Sequence, residues 1–441
     1  MKEQHDSFLD NLPSGWAFDR LKDVVALRNE KTSEASGDED YLELEDLESG
    51  TGRILNRRNT LEVESAVTVF KKGDILFGKL RPYLEKYYEA EFDGKCTGEI
   101  LAFKPEQIAS RFLFYCVGSR WFIERCNAIA YGAKMPRVSW PAQLSQFNIP
   151  LPPLPEQERI AAYLDASCAA IDAAVATKRR QIETLEALCG SILLTALTNG
   201  IRSEEKLIDT GSVVVPQIPR GWKLTRLKSV ASIRYGLGQP PAQLASGVAM
   251  IRATDVDAGH ISTDSMLRVD PNDLPVEKNP YLKAGEIIVV RSGAYTGDSA
   301  IVPAELEGCV AGYDMVVTVE RASPRFVAYC LLSRYVLEGQ ILLLTLRAAQ
   351  PHLNAQELGS VVLTLPPERA EQDAIVDFLD MKLVEVGEVA RGIERQIATL
   401  NAYRKSLIHE CVTGRRRVTE SNVSLAVSSS VTERMVETHG A

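Results

Sequence analysis

Two stretches of the chain carry apolar or small residues that step alternately by four and three. The first runs through Leu164, Cys168, Ile171, Val175, Lys178, Ile182, Leu185, Cys189, Ile192 and Ala196. The second runs through Leu379, Leu383, Val386, Ala390, Ile393, Ile397, Leu400, Arg404, Leu407 and Cys411. Sustained over several heptads, this spacing predicts two coiled-coil helices with Lys178 and Arg404 as polar interruptions. At 1.5 Å per residue, ~40 residues make each helix roughly 60 Å long. Elsewhere, strand-like runs such as Asp74–Phe77 and Glu286–Val290 alternate with Gly and Pro turns, the pattern of compact mixed domains. No apolar run approaches the ~20 residues of a bilayer span.

The whole pattern occurs twice. Leu12-Pro-Ser-Gly-Trp16 with Arg20-Leu-Lys22 returns as Ile218-Pro-Arg-Gly-Trp222 with Arg226-Leu-Lys228. Lys72-Gly-Asp-Ile75 returns as Ala284-Gly-Glu-Ile287, and Arg111-Phe-Leu-Phe-Tyr-Cys116 as Arg325-Phe-Val-Ala-Tyr-Cys330. Leu151-Pro-Pro153 matches Leu365-Pro-Pro367, and the Gln157–Asp165 stretch matches Gln372–Asp380. The offset climbs from 206 at Trp16/Trp222 to 215 at Gln157/Gln372, so one two-part unit has been duplicated, with small insertions in its second copy. Each copy is a mixed domain, a proline hinge that holds the chain extended, and a long helix.

The expected architecture is α+β: two pseudo-repeated mixed α/β domains separated by two long antiparallel coiled-coil helices. Antiparallel pairing follows if the copies are related by a pseudo-two-fold axis, as subunits of a dimer are. The expected boundaries are a first domain over 1–153, a helix over 154–199, a linker over 200–217, a second domain over 218–367, a helix over 368–414 and a disordered tail over 415–441. The residues expected to pair the helices are Leu164, Ile171, Val175, Ile182, Leu185 and Ile192 with Leu379, Val386, Ile393, Ile397, Leu400 and Leu407.

Composition narrows the chemistry. With 441 residues, 45% apolar and 25% charged, the chain has the balance of a soluble folded protein of two to four domains. Fifty basic against 59 acidic residues give a net charge of −9, which argues against a general nucleic-acid coat unless the basic residues gather on one face. The eight cysteines form no Cys-x-x-Cys pair, and only five histidines are present, so no metal site is expected. Met1–Asp10 carries no signal-peptide core, and a reduced, cytoplasmic protein with no membrane contact is expected. There is no phosphate-binding Gly-x-x-x-x-Gly-Lys-Ser/Thr loop, no His-Glu-x-x-His and no Gly-x-Ser-x-Gly. Nor is there the Asn/Asp-Pro-Pro-Tyr/Phe of an amino-methyltransferase; Asn279-Pro-Tyr281 is read as a turn. The acidic run Glu43–Glu48 is read as a solvated face. The chain is expected to be non-catalytic and to bind no cofactor itself.

What remains is a pair of binding domains held at a fixed distance, which suits a long partner with a repeating geometry, such as double-stranded DNA read at two sites. Basic and aromatic residues cluster where loops are expected: Lys71, Lys72, Lys79, Arg81, Tyr83, Lys86, Tyr87, Tyr88, Lys134 and Arg137 in the first domain. The second domain offers Arg291, Tyr295, Thr296, Arg347, Gln350 and His352. Arg and Lys can pair with guanine edges and Gln with adenine. Trp16, Trp222, Cys116 and Cys330 are expected in the core.

At this point the sequence resembles the specificity subunits of type I restriction–modification enzymes. The resemblance rests on the Leu12-Pro-x-Gly-Trp16 opening and on Gly73-Asp-Ile-Leu-Phe-Gly-Lys-Leu-Arg-Pro-Tyr83. It rests also on Met135-Pro-Arg-Val-Ser139, with Gln350-Pro-His-Leu-Asn354 in the second half, and on Ile149-Pro-Leu-Pro-Pro-Leu-Pro-Glu-Gln157. The second hinge departs to Leu365-Pro-Pro-Glu-Arg-Ala-Glu-Gln372, and Arg291-Ser-Gly-Ala-Tyr-Thr296 replaces Gly-Lys-Leu-Arg-Pro-Tyr. The resemblance implies two target recognition domains, each reading half of a split DNA sequence, with the helices as a ruler that docks two modification subunits. Those partners would supply S-adenosylmethionine and adenine methylation, and restriction (motor) subunits would supply ATP- and Mg-dependent cleavage. The alternatives are a coiled-coil adaptor with duplicated domains that binds no DNA, or a self-contained nuclease or methyltransferase.

Overall fold

The computed structural model describes residues 12–32, 40–59, 67–202, 206–275, 277, 279–345 and 352–428. The chain divides into two compact units, Met1–Arg179 with Glu394–Ala441, and Arg180–Ile393. Each unit is built on a four-stranded antiparallel sheet of the same strand order. In the first the order is Val25–Leu27, Ile100–Pro105, Ile75–Gly78, Tyr87–Glu89. In the second it is Ala231–Tyr235, Met315–Val319, Ile287–Val289, Ser299–Ile301. A two-stranded pair beside each sheet, Ala17–Arg20 with Asn148–Leu151 and Lys223–Arg226 with Val362–Leu365, repeats as well.

The uninterrupted apolar runs at the sheet centres have a simple cause. Ile75 and Phe77 face one hydrophobic cluster while Leu76 faces another. Ile287 and Val289 likewise face one cluster, with Ile288 and Val290 facing a second. A strand covered on both faces needs apolar residues at every position.

Each of these strands enters from a turn whose buried carboxylate pairs with a half-buried arginine. Gly73 and Gly285 take φ of 88° and 85°, a conformation glycine adopts without strain. The carboxylate that follows accepts the backbone N–H three residues earlier: Asp74 from Lys71, Glu286 from Lys283, both at 2.8 Å. Each also takes a two-pronged arginine, Arg28 on Asp74 (2.9 and 3.2 Å) and Arg234 on Glu286 (2.6 and 2.9 Å).

The two long helices are Leu154–Asn199 and Arg369–Val412. In the first unit they run antiparallel: Arg159 donates to the Val418 carbonyl, Asp172 pairs with Arg404 and Lys178 donates to Gln396. The predicted pairing stripe is the least exposed face of both helices. Leu164, Ile171, Val175, Leu379 and Leu407 are buried, while Ile182, Leu185, Ile192, Val386, Ile393, Ile397 and Leu400 are half-buried. Of the predicted polar interruptions, Arg404 is buried and donates to the carbonyls of Gly50 (2.8 Å) and Thr51 (3.3 Å), which fastens that loop to the helix.

The hinges also have a mechanism. The Gln157 side chain accepts from the Ala109 N–H and donates to the Pro152 carbonyl, both at 2.8 Å. Gln372 does the same with Ser323 N–H (2.8 Å) and the Pro366 carbonyl (2.9 Å). About two turns further along, Asp165 takes Arg111 and the Tyr115 hydroxyl, and Asp380 takes Arg325 and Tyr329. Each helix is thus locked to the short helix of its own domain.

Four expectations change. The linker over 200–217 contains structure, because Leu207–Asp209 pairs with Gln217–Pro219 as a hairpin. Within the expected tail, Val418 is buried in the first unit's core and residues 420–428 are helical, while 429–441 lie outside the described residues. The acidic run is not wholly solvated: Asp46 is fully buried, accepts the Glu43 N–H (2.7 Å) and pairs with Arg58 (2.8 Å). The first long helix does contain an 18-residue window of mean hydropathy 1.3, apolar enough by length and composition to cross a membrane. Its alanines raise the hydropathy, and the stripe within it packs in the core.

Burial pushes the Glu286 carboxyl up, but the hydrogen bonds from Arg234, the Lys283 N–H and the Thr318 hydroxyl prevail and hold it below the usual glutamate range. Its stabilisation is therefore complete above the unfolded glutamate pKa of about 4.3 and is lost as pH falls through the depressed folded value. Glu286→Gln should cost about 1.5–3 kcal/mol at neutral pH. In urea titrations from pH 7 to 3, the variant's midpoint should fall less steeply than that of the wild type.

Candidate nucleic-acid interface

In both units the same end of the central sheet gathers the predicted side chains. Strand Ile75–Gly78 runs out at Lys79, whose N–H donates to the Glu99 carbonyl (2.9 Å). The Met135-Pro-Arg-Val-Ser139 segment then pairs with it. Val138 N–H donates to the Lys79 carbonyl (3.0 Å), Arg81 N–H to the Pro136 carbonyl (2.7 Å), and Leu80 bridges Arg137. In the second unit Leu353 N–H donates to the Arg291 carbonyl (2.8 Å) and Ser292 bridges His352. The slot holding Lys79 and Arg137 in one copy therefore holds Arg291 and His352 in the other.

The first slot is partly neutralised. Arg137 forms a two-pronged pair with Glu99 at 3.1 and 3.2 Å, which ties it down. Lys134 is exposed, Tyr83 is 52% exposed, and Lys79 and Arg81 are half-buried. Arg81 stands at φ 50° in the left-handed region before the Pro82–Leu84 turn. Lys86 is half-buried and its ammonium donates to the Leu47 carbonyl, so it braces a loop instead of facing out. Tyr87 and Tyr88 are core residues, and Lys71 pairs with Asp93 at 3.2 Å.

Tyr83 also borders a cleft of about 550 Å³ lined by Arg53, Arg179, Arg404 and Lys405. Carboxylates pair with three of these four cations, Glu48 with Arg53, Asp172 with Arg404 and Glu85 with Lys405, and these pairs fasten the domain to the helices.

The second slot is arranged differently. The Arg291 guanidinium lies over two tyrosine rings, 4.6 Å from the Tyr235 centroid and 4.2 Å from that of Tyr313. Its Nη2 lies 3.2 Å from His352 Nε2, and its backbone N–H donates to Asp314 (3.2 Å). Asp314 is 2% exposed, and burial raises its carboxyl above the usual range. Tyr295 is 51% exposed on the neighbouring loop. Thr296, expected to face a ligand, is instead 5% exposed, and its hydroxyl donates to the Gly293 carbonyl (2.7 Å). It shapes the loop from within. Arg347 and Gln350 lie outside the described residues.

Tyr235, Tyr313 and Asp314 were not found by sequence reasoning. Tyr235 ends one strand and Tyr313 precedes another, and only the register that sets Tyr235 opposite Met315 brings them together. No group of three or more His, Cys, Asp or Glu side chains placed to hold a metal occurs among the described residues.

Residues 13–186 and 219–385 match the family described as the type I restriction modification DNA specificity domain. The chain belongs to that family. It is 24% identical over 280 residues to the specificity subunit of the type I restriction enzyme EcoBI of Escherichia coli, covering 60% of this chain and 58% of that one. With the EcoDI specificity subunit of the same organism it shares 27% over 207 residues, 46% of this chain and 45% of that one. The chain thus spans about half the length of these curated relatives. A solved chain from a study of assembly and conformational transition in a type I R-M system superposes with a TM-score of 0.69 at 20% identity. That match covers 92% of this chain and 99% of the other, and shows a shared fold. Within the specificity family, the two domains here present one scaffold with two different sets of side chains.

Left-handed backbone costs a non-glycine residue about 1–2 kcal/mol. Arg81→Gly should therefore leave the thermal midpoint unchanged or slightly raised. A fall of several degrees would show that the Arg81 side chain anchors its own turn.

Proposed function

We propose that this chain is the DNA sequence-recognition subunit of a type I restriction–modification complex. Each domain reads one half of a bipartite target in double-stranded DNA. The paired long helices set the spacing between half-sites and dock two modification subunits. Those subunits bring S-adenosylmethionine and the adenine-methylating site, and restriction subunits bring ATP- and Mg-dependent cleavage of unmodified DNA. Recognition, not catalysis, is this chain's share. It binds no cofactor, and the complex works in the cytoplasm.

The observation that carries this reading is the repeated slot at the sheet end. A corresponding backbone bond and bridge, Val138 N–H to the Lys79 carbonyl with Leu80–Arg137 and Leu353 N–H to the Arg291 carbonyl with Ser292–His352, accompany Lys79, Arg81, Tyr83 and Lys134 in one copy and Arg291, Tyr295 and His352 in the other. Duplicated scaffolds with unlike readers suit a target whose halves differ in sequence. Phosphate and base contacts from so few cations also require that partner subunits help hold the duplex, given the net charge of −9.

The test is to co-express the chain with its modification subunits, purify the complex and sequence the methylated bases of the host genome. A bipartite methylated motif with a spacer of fixed length is the expected result. A stable complex without a new motif would remove the DNA-reading role, and failure to assemble would favour the adaptor reading. Adding four residues to each long helix lengthens it by about 6 Å. At ~3.4 Å per base pair, the methylated motif should then gain about two base pairs of spacer.

A further inference from the structure

We propose that Arg291, held against the rings of Tyr235 and Tyr313, is the side chain by which the second domain selects a guanine. This rests on the DNA-reading role proposed above and adds to it the identity of one recognised base.

The clamp determines what Arg291 can do. The guanidinium carbon lies over the Tyr235 ring at 4.6 Å and over the Tyr313 ring at 4.2 Å, and two ring contacts limit how the guanidinium can turn and favour its edge for meeting a ligand. Tyr235 cannot swing away easily, because its hydroxyl accepts the Ala355 N–H (3.0 Å) at the start of the helix Ala355–Ser360. The rings are still half open to solvent, at 48% and 51% exposure, which places the clamp at the surface. His352 engages Nη2 from one side, leaving the second Nη2 hydrogen and Nη1 for a partner. Among the described residues no carboxylate pairs with the Arg291 side chain, in contrast to Arg137 on Glu99.

A planar fork held edge-on matches the two acceptors, O6 and N7, that guanine presents in the major groove. A phosphate contact needs charge but no fixed plane, and flexible side chains supply it as well. The loop beside the clamp is equally well seated. A Cβ on Gly297 would come within 2.8 Å of Leu337 and 2.9 Å of Ile341, so the segment Leu337–Ile341 supports the turn that follows Arg291. The first domain has no such clamp at Lys79, so the guanine requirement belongs to the second half-site.

The experiment is methylome sequencing of hosts expressing the whole complex with wild-type chain, Arg291→Ala or Arg291→Lys. The wild type should give a second half-site containing an obligatory guanine. At that position, the ratio of methylation at guanine sites to sites with other bases should fall roughly 5–150-fold in Arg291→Ala. Arg291→Lys, which keeps the charge without the fork, should fall part of the way. Retention of the first half-site in the variant's motif shows that the chain folded and assembled. If Arg291→Ala yields no complex, the same ratio in Arg291→Lys decides.

A wild-type motif with no guanine on either strand of the second half-site would overturn the proposal. So would an unchanged ratio in the variants, or a uniform loss of methylation with the motif intact, which is the mark of a phosphate contact. A wild type with no bipartite motif would instead remove the DNA-reading role itself.

Discussion

Neither domain closes its hydrophobic core without the long helices. In the first unit Ile160, Leu164 and Cys168 from one helix and Leu407, Ile408, Cys411 and Val412 from the other join Phe112, Phe122 and Trp16 in a single cluster. In the second unit Ala196 and Leu197 from one helix and Ile375, Val376 and Leu379 from the other complete the core around Phe326 and Trp222. Both tryptophans that open the repeats are thus core residues against helix ends. Residues near the end of the chain are as much part of the first core as those near its beginning. A helix stripe of this kind cannot stay in water, so the domains and the helices form one folding problem.

Polar interactions then direct what apolar burial only drives. Gln157 and Gln372 each satisfy one orphan N–H of a short helix and one hinge carbonyl, which sets where each long helix leaves its domain. Asp165 and Asp380 repeat the device about two turns on, with an arginine and a tyrosine. Most arginines near these elements are committed to carboxylates: Arg28 to Asp74, Arg58 to Asp46, Arg137 to Glu99 and Arg234 to Glu286. This internal pairing explains how a chain rich in both charges offers few free cations. It also sets apart Arg291, which has two tyrosine rings and, among the described residues, no carboxylate on its side chain.

The two copies show where duplication tolerates change. Strand order, hinge glutamines, buried carboxylates and the backbone pairing at the sheet end are common to both. The side chains projecting from that sheet end are not, since they lie outside the hydrophobic clusters that hold each domain together. The second sheets also diverge. The first unit has five strands including Val67–Phe70 and Gly94–Cys96, where the second has three around the nine-residue Gln243–Ile251.

The sequence alone was enough for the duplication, the boundaries of both long helices to within a residue or two, and the face each buries, because heptad spacing and repeated motifs are local signals. It was enough as well for Trp16, Trp222, Cys116 and Cys330 as core. Tertiary structure decided which polar residues remain available at the sheet end. Lys86 is spent on a carbonyl, Thr296 on its own turn and Arg137 on Glu99, and each partner lies several residues or a whole strand away. It also decided the clamp on Arg291. Tyr235 and Tyr313 are 78 positions apart in the chain and become neighbours through strand register, a long-range pairing that no local pattern encodes.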